Sequence, residues 1–332
     1  MRALISLTTI AAVLYSGYWF VGSQGVKEGM TTWLDDRRDE GWVADYDDIR
    51  VVGFPNRFDA TLTQLNLADP DTGLAWSAPF FQLFALSYKP NHLIATWPEQ
   101  HSISTPNQKI TLRSDKSQAS LVLQPDTNLA LDRMTMVLDG FVMRSDMGWQ
   151  VRLPAATVAT ETREGRENWH RIGLSSENAL LSSELLAMLG AQGLPETFQT
   201  LKLDADVGFT DPWDINALQN RRPQPTGIDL RLLKATWGEL DLQAAGELKI
   251  DEAGFATGEI EVRATNWKQM VELAVSTGAV AKEVGDGMIQ GLSLLAGLGR
   301  DPDTLEVPLT FRRGRINLGP IPLGPAPMFV IR

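Results

Sequence analysis

The chain contains no cysteine and only three histidines in 332 residues, and both shortages remove chemistry. Without cysteine there is no disulfide, no thiolate nucleophile and no sulfur-ligated zinc, although the absence suits reducing and oxidising compartments equally. His92, His101 and His170 lie far apart, each beside a turn or polar stretch, so a shared metal site would require folding to gather them. Surface or hydrogen-bonded histidines are the plainer reading. Positive charge is also scarce: the formal net charge is -11 and the sequence pI about 4.8, which disfavours nucleic acid as a partner. The chain has no Gly-x-Ser-x-Gly, no Walker loop and no His-Glu-x-x-His, and Gly291, Gly297 and Gly299 lack dinucleotide-loop spacing. Asp204, Asp206 and the Asp211-Pro212-Trp213-Asp214 turn do not have the spacing or terminal Glu of an EF-hand and read as solvated acids. We expect no catalytic residue, no metal and no cofactor, hence a protein that is not an enzyme. A hydrolase assembled from scattered acids is the weakest reading.

Charge is also missing from one end. From Ala3 to Val26 no residue is ionisable except tyrosine, and a helix of that length reaches about 36 Å against a hydrocarbon thickness of about 30 Å. Arg2 on one side, against the mixed charges after Lys27 on the other, places the N-terminus in the cytoplasm and the body outside. A cleaved signal peptide is the rival, with Val21-Gly22-Ser23 as small residues at a cleavage site. Tyr15, Tyr18, Trp19 and Phe20 read as an interfacial aromatic belt and favour an uncleaved anchor. The division expected is 1–26 as transmembrane anchor, 27–48 as a juxtamembrane helix or stalk with solvated charges, and 49–332 as a β-rich domain.

Beyond the anchor and stalk the chain shows mostly period-two alternation, which specifies strands. Gly53-Phe54-Pro55 opens a hairpin in which Trp76, Ala78, Phe80, Phe84, Leu86 and Tyr88 share one parity, while Phe81, Leu83 and Ala85 make the other parity apolar as well. Such a strand should be covered on both faces. Lys89-Pro90-Asn91-His92 reads as the reversal, with Leu93, Ala95 and Trp97 returning, and Asp139-Gly140 as a second one. Leu181, Leu185, Met188 and Leu189 predict a helix over 176–190. Further helices are expected over 267–284 and 288–295, the last ended by Gly297 and Gly299 before Pro302. Strands resume at Leu201–Phe209 and continue through Ile228–Leu232, Leu240–Ala244, Gly258–Ala264 and Leu305–Phe311. The proline-rich stretch from Gly319 to Pro325 belongs at an edge. The fold class expected is mostly β with a few helices (α+β): an N-terminal transmembrane helix, then an elongated, curved, mostly antiparallel sheet forming a groove.

Gly53-Phe54-Pro55, Trp237-Gly238 with Leu240 and Leu242, Gly246, Asp251-Glu252-Ala253-Gly254 with Gly258, and the closing Gly314-Arg315-Ile316-Asn317-Leu318-Gly319-Pro320 carry a resemblance over nearly the whole chain. They resemble a bacterial membrane-anchored family of unknown function (domain of unknown function 2125), itself similar to the AsmA-like proteins of Gram-negative envelopes. The resemblance implies a periplasmic body on the inner membrane, a role in envelope biogenesis and a β-groove that holds or moves lipid; it assigns no catalytic residue. The candidate apolar groove is Trp76, Phe80, Phe81, Leu83, Phe84, Leu86 and Trp97, and the expected partner is a membrane lipid such as a phospholipid. Those rings could instead be ordinary core. The alternative function is a structural or interaction module that docks an envelope protein through its sheet edges.

Overall fold

No proline occurs before Pro55, so nothing interrupts a long N-terminal helix. The computed structural model describes residues 1–191, 193–219, 222–297 and 301–331; Gly299 lies outside them. Helix α1 runs unbroken over Arg2–Asp39 and is long and apolar enough to cross a membrane. It ends at Gly41, whose φ of +91° is a left-handed conformation that glycine adopts without strain. The described residues form two compact units, Met1–Leu123 with Met136–Met147, and Gln124–Thr135 with Gly148–Arg332. The chain is mostly β, its strands pair antiparallel, and a few helices accompany them.

In the first unit the strands are β1 (Val43–Asp45), β2 (Asp48–Val52), β3 (Arg57–Asp69), β4 (Leu74–Leu86), β5 (Lys89–Thr96), β6 (Gln100–Ser104), β7 (Lys109–Arg113), β8 (Lys116–Leu123) and the latter part of β9 (Leu131–Ser145). β3 pairs with β1, β2 and β4; β4 also pairs with β5 and β6; β5 pairs with β8, and β7 with β6 and β9. Helix α1 lies on β1, β2 and β3. Its stripe of Trp19, Gly22, Val26, Met30 and Leu34 has the i, i+3/i+4 spacing of one helical face. Leu34 is 1% exposed among Ala44, Ile49, Leu62 and Leu65, with Met30, Tyr46 and Trp76 packed alongside. The stretch 27–48 is therefore no free stalk: its helical part is a packed element, and Val43–Asp45 is already a strand.

Two expected reversals move. The chain turns at Ser87-Tyr88, so that Leu86 faces Lys89, and Pro90 and Asn91 belong to β5. Asp139-Gly140 is no turn, because β9 passes straight through it. Gly140, at φ +57°, instead lets Asp115 approach: a Cβ there would run into the Asp115 carboxylate, and the Asp115 amide donates to the Asp139 carbonyl at 3.0 Å.

In the second unit β10 (Gln150–Thr162), β11 (Trp169–Leu181), β12 (Thr197–Phe209), β13 (Pro225–Trp237), β14 (Leu240–Ile250), β15 (Ala256–Thr265), β16 (Thr304–Arg312), β17 (Arg315–Leu318) and β18 (Ile321–Pro325) each pair with the next. The proline-rich β18 is last in this series, where missing amide donors cost least. The helix expected over 176–190 is strand in its first part and helix in its second. β11 continues to Leu181 because both neighbouring strands hydrogen-bond it, and only α2 (Ser183–Met188) is helical, capped by Ser182 accepting from the Leu185 amide at 3.3 Å. Short α3 spans Ile215–Gln219. The predicted 267–284 helix divides at Gly278 (φ +76°) into α4 (Trp267–Ser276) and α5 (Lys282–Ala296). These two pack on β14 and β16 around Ala264, Trp267, Val271, Met288, Leu292, Leu305 and Val307. A neighbouring core of Leu248, Ile250, Ala256, Ile260 and Phe311 is closed by Ala326 and Phe329 of the C-terminal tail.

Candidate functional site

The seven residues expected to line one groove are not on one face. Gln64 takes a positive φ of 53°, and the β3–β4 register passes from Thr63↔Phe80 to Leu65↔Ala78 without pairing Gln64. The register itself does not shift, since Gln64 stands opposite Pro79, but the alternation of both strands inverts at this unpaired position. Leu62 and Leu65, three apart, consequently point into the same core. On β4 this inversion puts Trp76 on the side of Phe81, with ring centroids 5.8 Å apart, and Phe81 in turn meets Trp97 at 5.5 Å. Trp76, Phe81, Leu83 and Trp97 thus belong to the face that α1 covers in part. Phe80, Phe84 and Leu86 belong to the opposite face, a polar one. There Gln82 donates to Thr61 Oγ1 at 3.2 Å, and the Arg57 guanidinium lies 5.5 Å over the Phe84 ring. Period-two counting fails at Gln64 because a single left-handed residue exchanges the two faces.

The broader apolar surface is in the second unit, where the register of β10–β13 sets side chains into cross-strand rows. Val158, Leu174, Leu203 and Leu233 form one row; Thr160, Ile172, Ala205 and Leu230 the next; Thr162, His170, Val207 and Ile228 the third. Such neighbours stand about 5 Å apart and stabilise each other. Val158, Ile172, Leu174, Leu203, Val207, Ile228, Leu230 and Leu233 are all only half-buried, whereas the same face of β14–β16 is covered by α4, α5 and the tail. No described helix packs extensively on the three rows of β10–β13. Leu201–Phe209 and Ile228–Leu232 were legible as alternating strands. The surface was not, because its partner β11 carries helical spacing at its C-terminal end.

The other side of the same strands is charged. Arg171 donates to both Asp204 oxygens, from Nε at 2.8 Å and Nη2 at 2.7 Å, and this pairing holds the Asp204 carboxyl below its usual range. Asp206 is 2% exposed; its Oδ2 accepts from Arg231 Nη2 at 2.6 Å, with Arg163 Nε at 3.3 Å and Arg166 Nη1 at 3.9 Å. Asp214 accepts from the Asn216 and Ala217 amides at the start of α3. These acids are committed to arginines and a helix start. A hollow here, lined by Arg133, Glu161 and Arg171, is about 210 Å³, under the roughly 300 Å³ from which small-molecule pockets begin. Among the described residues no group of three His, Asp or Glu side chains is placed to hold a metal ion.

Two of the histidines sit inside the units. His101 Nδ1 accepts the Trp76 indole N–H at 2.9 Å, and His170 is 4% exposed beside Phe209. Burial pushes both below the ordinary histidine value, Asp132 pulling His170 partly back. The unfolded chain then takes up protons near pH 6.5 while the folded one does not, so the stability tied to these groups is complete above about pH 6.5 and is lost as the pH falls below it. Urea midpoints should drop between pH 7.5 and pH 5.5, and His101→Asn, which keeps an acceptor for Trp76 but cannot titrate, should show a smaller drop. Equal pH slopes for the two proteins would refute this.

A family model described as an uncharacterized protein conserved in bacteria (DUF2125) matches residues 19–327. The chain belongs to the DUF2125 family. The match opens at Trp19, which donates to the Arg57 carbonyl at 2.7 Å, so the DUF2125 region takes in the packed part of α1 and both units. No curated protein matches, and no solved structure does.

Proposed function

We propose that this is a membrane-anchored protein of the bacterial envelope that binds lipid acyl chains on the apolar rows of β10–β13, with α1 in the inner membrane and the body in the periplasm. Its work is binding, with no chemical step. The observation that supports this is the half-buried set Val158, Leu174, Leu203, Leu230 and Leu233, which share one face across four hydrogen-bonded strands. Four strands about 4.8 Å apart span roughly 14 Å, enough to lie along a good part of an acyl chain. About six buried methylenes contribute roughly 5 kcal/mol before association costs, so an extended contact is needed to hold one chain. The charged opposite face keeps that side of the sheet in water.

Lipid extracted from gently purified full-length protein and identified by mass spectrometry should be phospholipid, in stoichiometric amount. Leu203→Glu places a carboxylate in the middle of the rows. It should abolish most of the bound lipid while costing roughly 1–3 kcal/mol of stability, because the position is only partly exposed. A stable protein partner recovered with no lipid would overturn the reading in favour of an interaction module.

A further inference from the structure

The bare part of α1 is too short to cross a bilayer by itself. Leu4, Ile5, Leu7, Ile10, Val13 and Leu14 are 57% to 69% exposed, and from Ala3 to Leu14 the helix rises only about 18 Å. A hydrocarbon core of about 30 Å demands roughly eight residues more, to about Gly22. Over that very stretch the helix is already occupied by the first unit. Trp19 stacks on Phe58 and meets Phe54 edge-on, at 5.9 and 5.4 Å, and Phe20 stacks on Phe54 at 5.9 Å. A Cβ on Gly22 would meet the Phe58 ring at 2.6 Å.

We infer that the Gly53–Arg57 loop and the Leu86–Tyr88 turn are inserted into the outer leaflet beside α1, so that the first unit is seated in the membrane as well as tethered to it. This rests on the reading of α1 as a membrane-spanning anchor. Its partner is the acyl region of the bilayer. The surface fits that partner: Phe54 is 52% exposed, Tyr88 63%, Phe20 62% and Val21 75%, all around the same end of the sheet.

The backbone chemistry of the tip is a second, independent observation. Irregular backbone at membrane depth is tolerated only where its polar groups are satisfied within the protein. Five carbonyls and two amides of the tip are. The Pro55 carbonyl accepts from Ser87 Oγ at 3.0 Å, and since Ser87 Oγ gives its proton there, it accepts from the Tyr15 hydroxyl at 2.8 Å. The Ser87 carbonyl accepts from the Tyr18 hydroxyl at 2.5 Å, and the Arg57 carbonyl from Trp19 Nε1 at 2.7 Å. The Gly53 and Asn56 carbonyls accept from the Arg57 and Ser87 amides, both at 2.9 Å. Ser87 itself has no exposed surface. The aromatic residues of α1 thus supply hydrogen bonds that water would supply to a loop in solvent. Arg57 and Lys89 flank the tip, with stems long enough to carry their charges up to the headgroups.

The chain has no cysteine, which makes single-site labelling direct. Phe54→Cys, Tyr88→Cys, Ile10→Cys and Asp71→Cys, each in the full-length chain with an environment-sensitive dye, are reconstituted into phosphatidylethanolamine–phosphatidylglycerol vesicles with and without spin-labelled acyl chains. Positions 54 and 88 are exposed, so folding should survive, and near-ultraviolet circular dichroism checks it. The dyes at 54 and 88 should be quenched at least half as strongly as the dye at 10, and the dye at 71, at the far end of the β3–β4 hairpin, should not be quenched. Quenching at 10 with none at 54 and 88 would overturn the seating and leave the anchor intact. No quenching at 10 would remove both.

Discussion

Replacing Leu34 by aspartate should release the C-terminal part of α1 from the sheet. Leu34 is 1% exposed, enclosed by Ala44, Ile49, Leu62 and Leu65. Losing its aliphatic burial alone costs about 2–5 kcal/mol, and an unpaired carboxylate among apolar side chains adds several more. The two cations that follow it on the helix are already paired, Arg37 with Glu40 and Arg38 with Asp35, both at 2.6 Å. Undocking the helix is the less costly response, and trypsin should then cut at Lys27, Arg37 or Arg38 in folded protein that resists cleavage when Leu34 is present. Leu34→Met, which conserves volume, should change little. Resistance to trypsin in the aspartate variant would mean that the packing around Leu34 does not hold α1.

Trp267→Ala should cost the second unit about 3–5 kcal/mol, the range for removing a buried large aromatic. Trp267 is 2% exposed, opens α4, and touches side chains from α4, α5 and the strands beneath, while its indole N–H reaches the Pro302 carbonyl at 3.2 Å. Alanine leaves a cavity with Leu292 and Met288 on one side and Leu305 and Val307 on the other, and neither wall can collapse without moving a helix. Domain stability totals about 5–15 kcal/mol, so most of the margin is at stake. Hydrogen exchange of the α4 and α5 amides reports it directly. Protection unchanged from the parent would show that the two helices do not depend on this residue.

Much of this architecture was legible in the amino-acid order. The uncharged run from Ala3, the alternation of β12 and of β13–β16, and the proline-rich last strand all express local rules that tertiary contacts do not override. The failures have identifiable physical causes. Gln64 in a left-handed conformation exchanges the faces of β3 and β4, so the rings at 76–97 never formed one surface. The aromatic residues of α1 are legible as an interfacial belt, but not their hydrogen bonds to loops distant in sequence. Gly140 looked like a turn and serves a close approach of Asp115. In each case the deciding partner lies far away along the chain, where periodicity has no reach. The rows on β10–β13 emerge only from register, which fixes which residues of four strands stand beside each other.

From β10 to β18 every pairing joins strands that are consecutive in the chain. Most closures therefore span a short loop and cost little entropy, the main exception being β15–β16, which α4 and α5 separate, and contacts of this local kind form quickly. A strand can add to its predecessor as soon as both have emerged, whether from the ribosome or from a translocation channel. The second unit can be built in the order of synthesis, strand on strand, with α4 and α5 closing over it near the end. The first unit has no such freedom: β4 must wait for β6, β5 for β8 and β7 for β9. One half of the molecule is laid down as a growing edge; the other must be gathered.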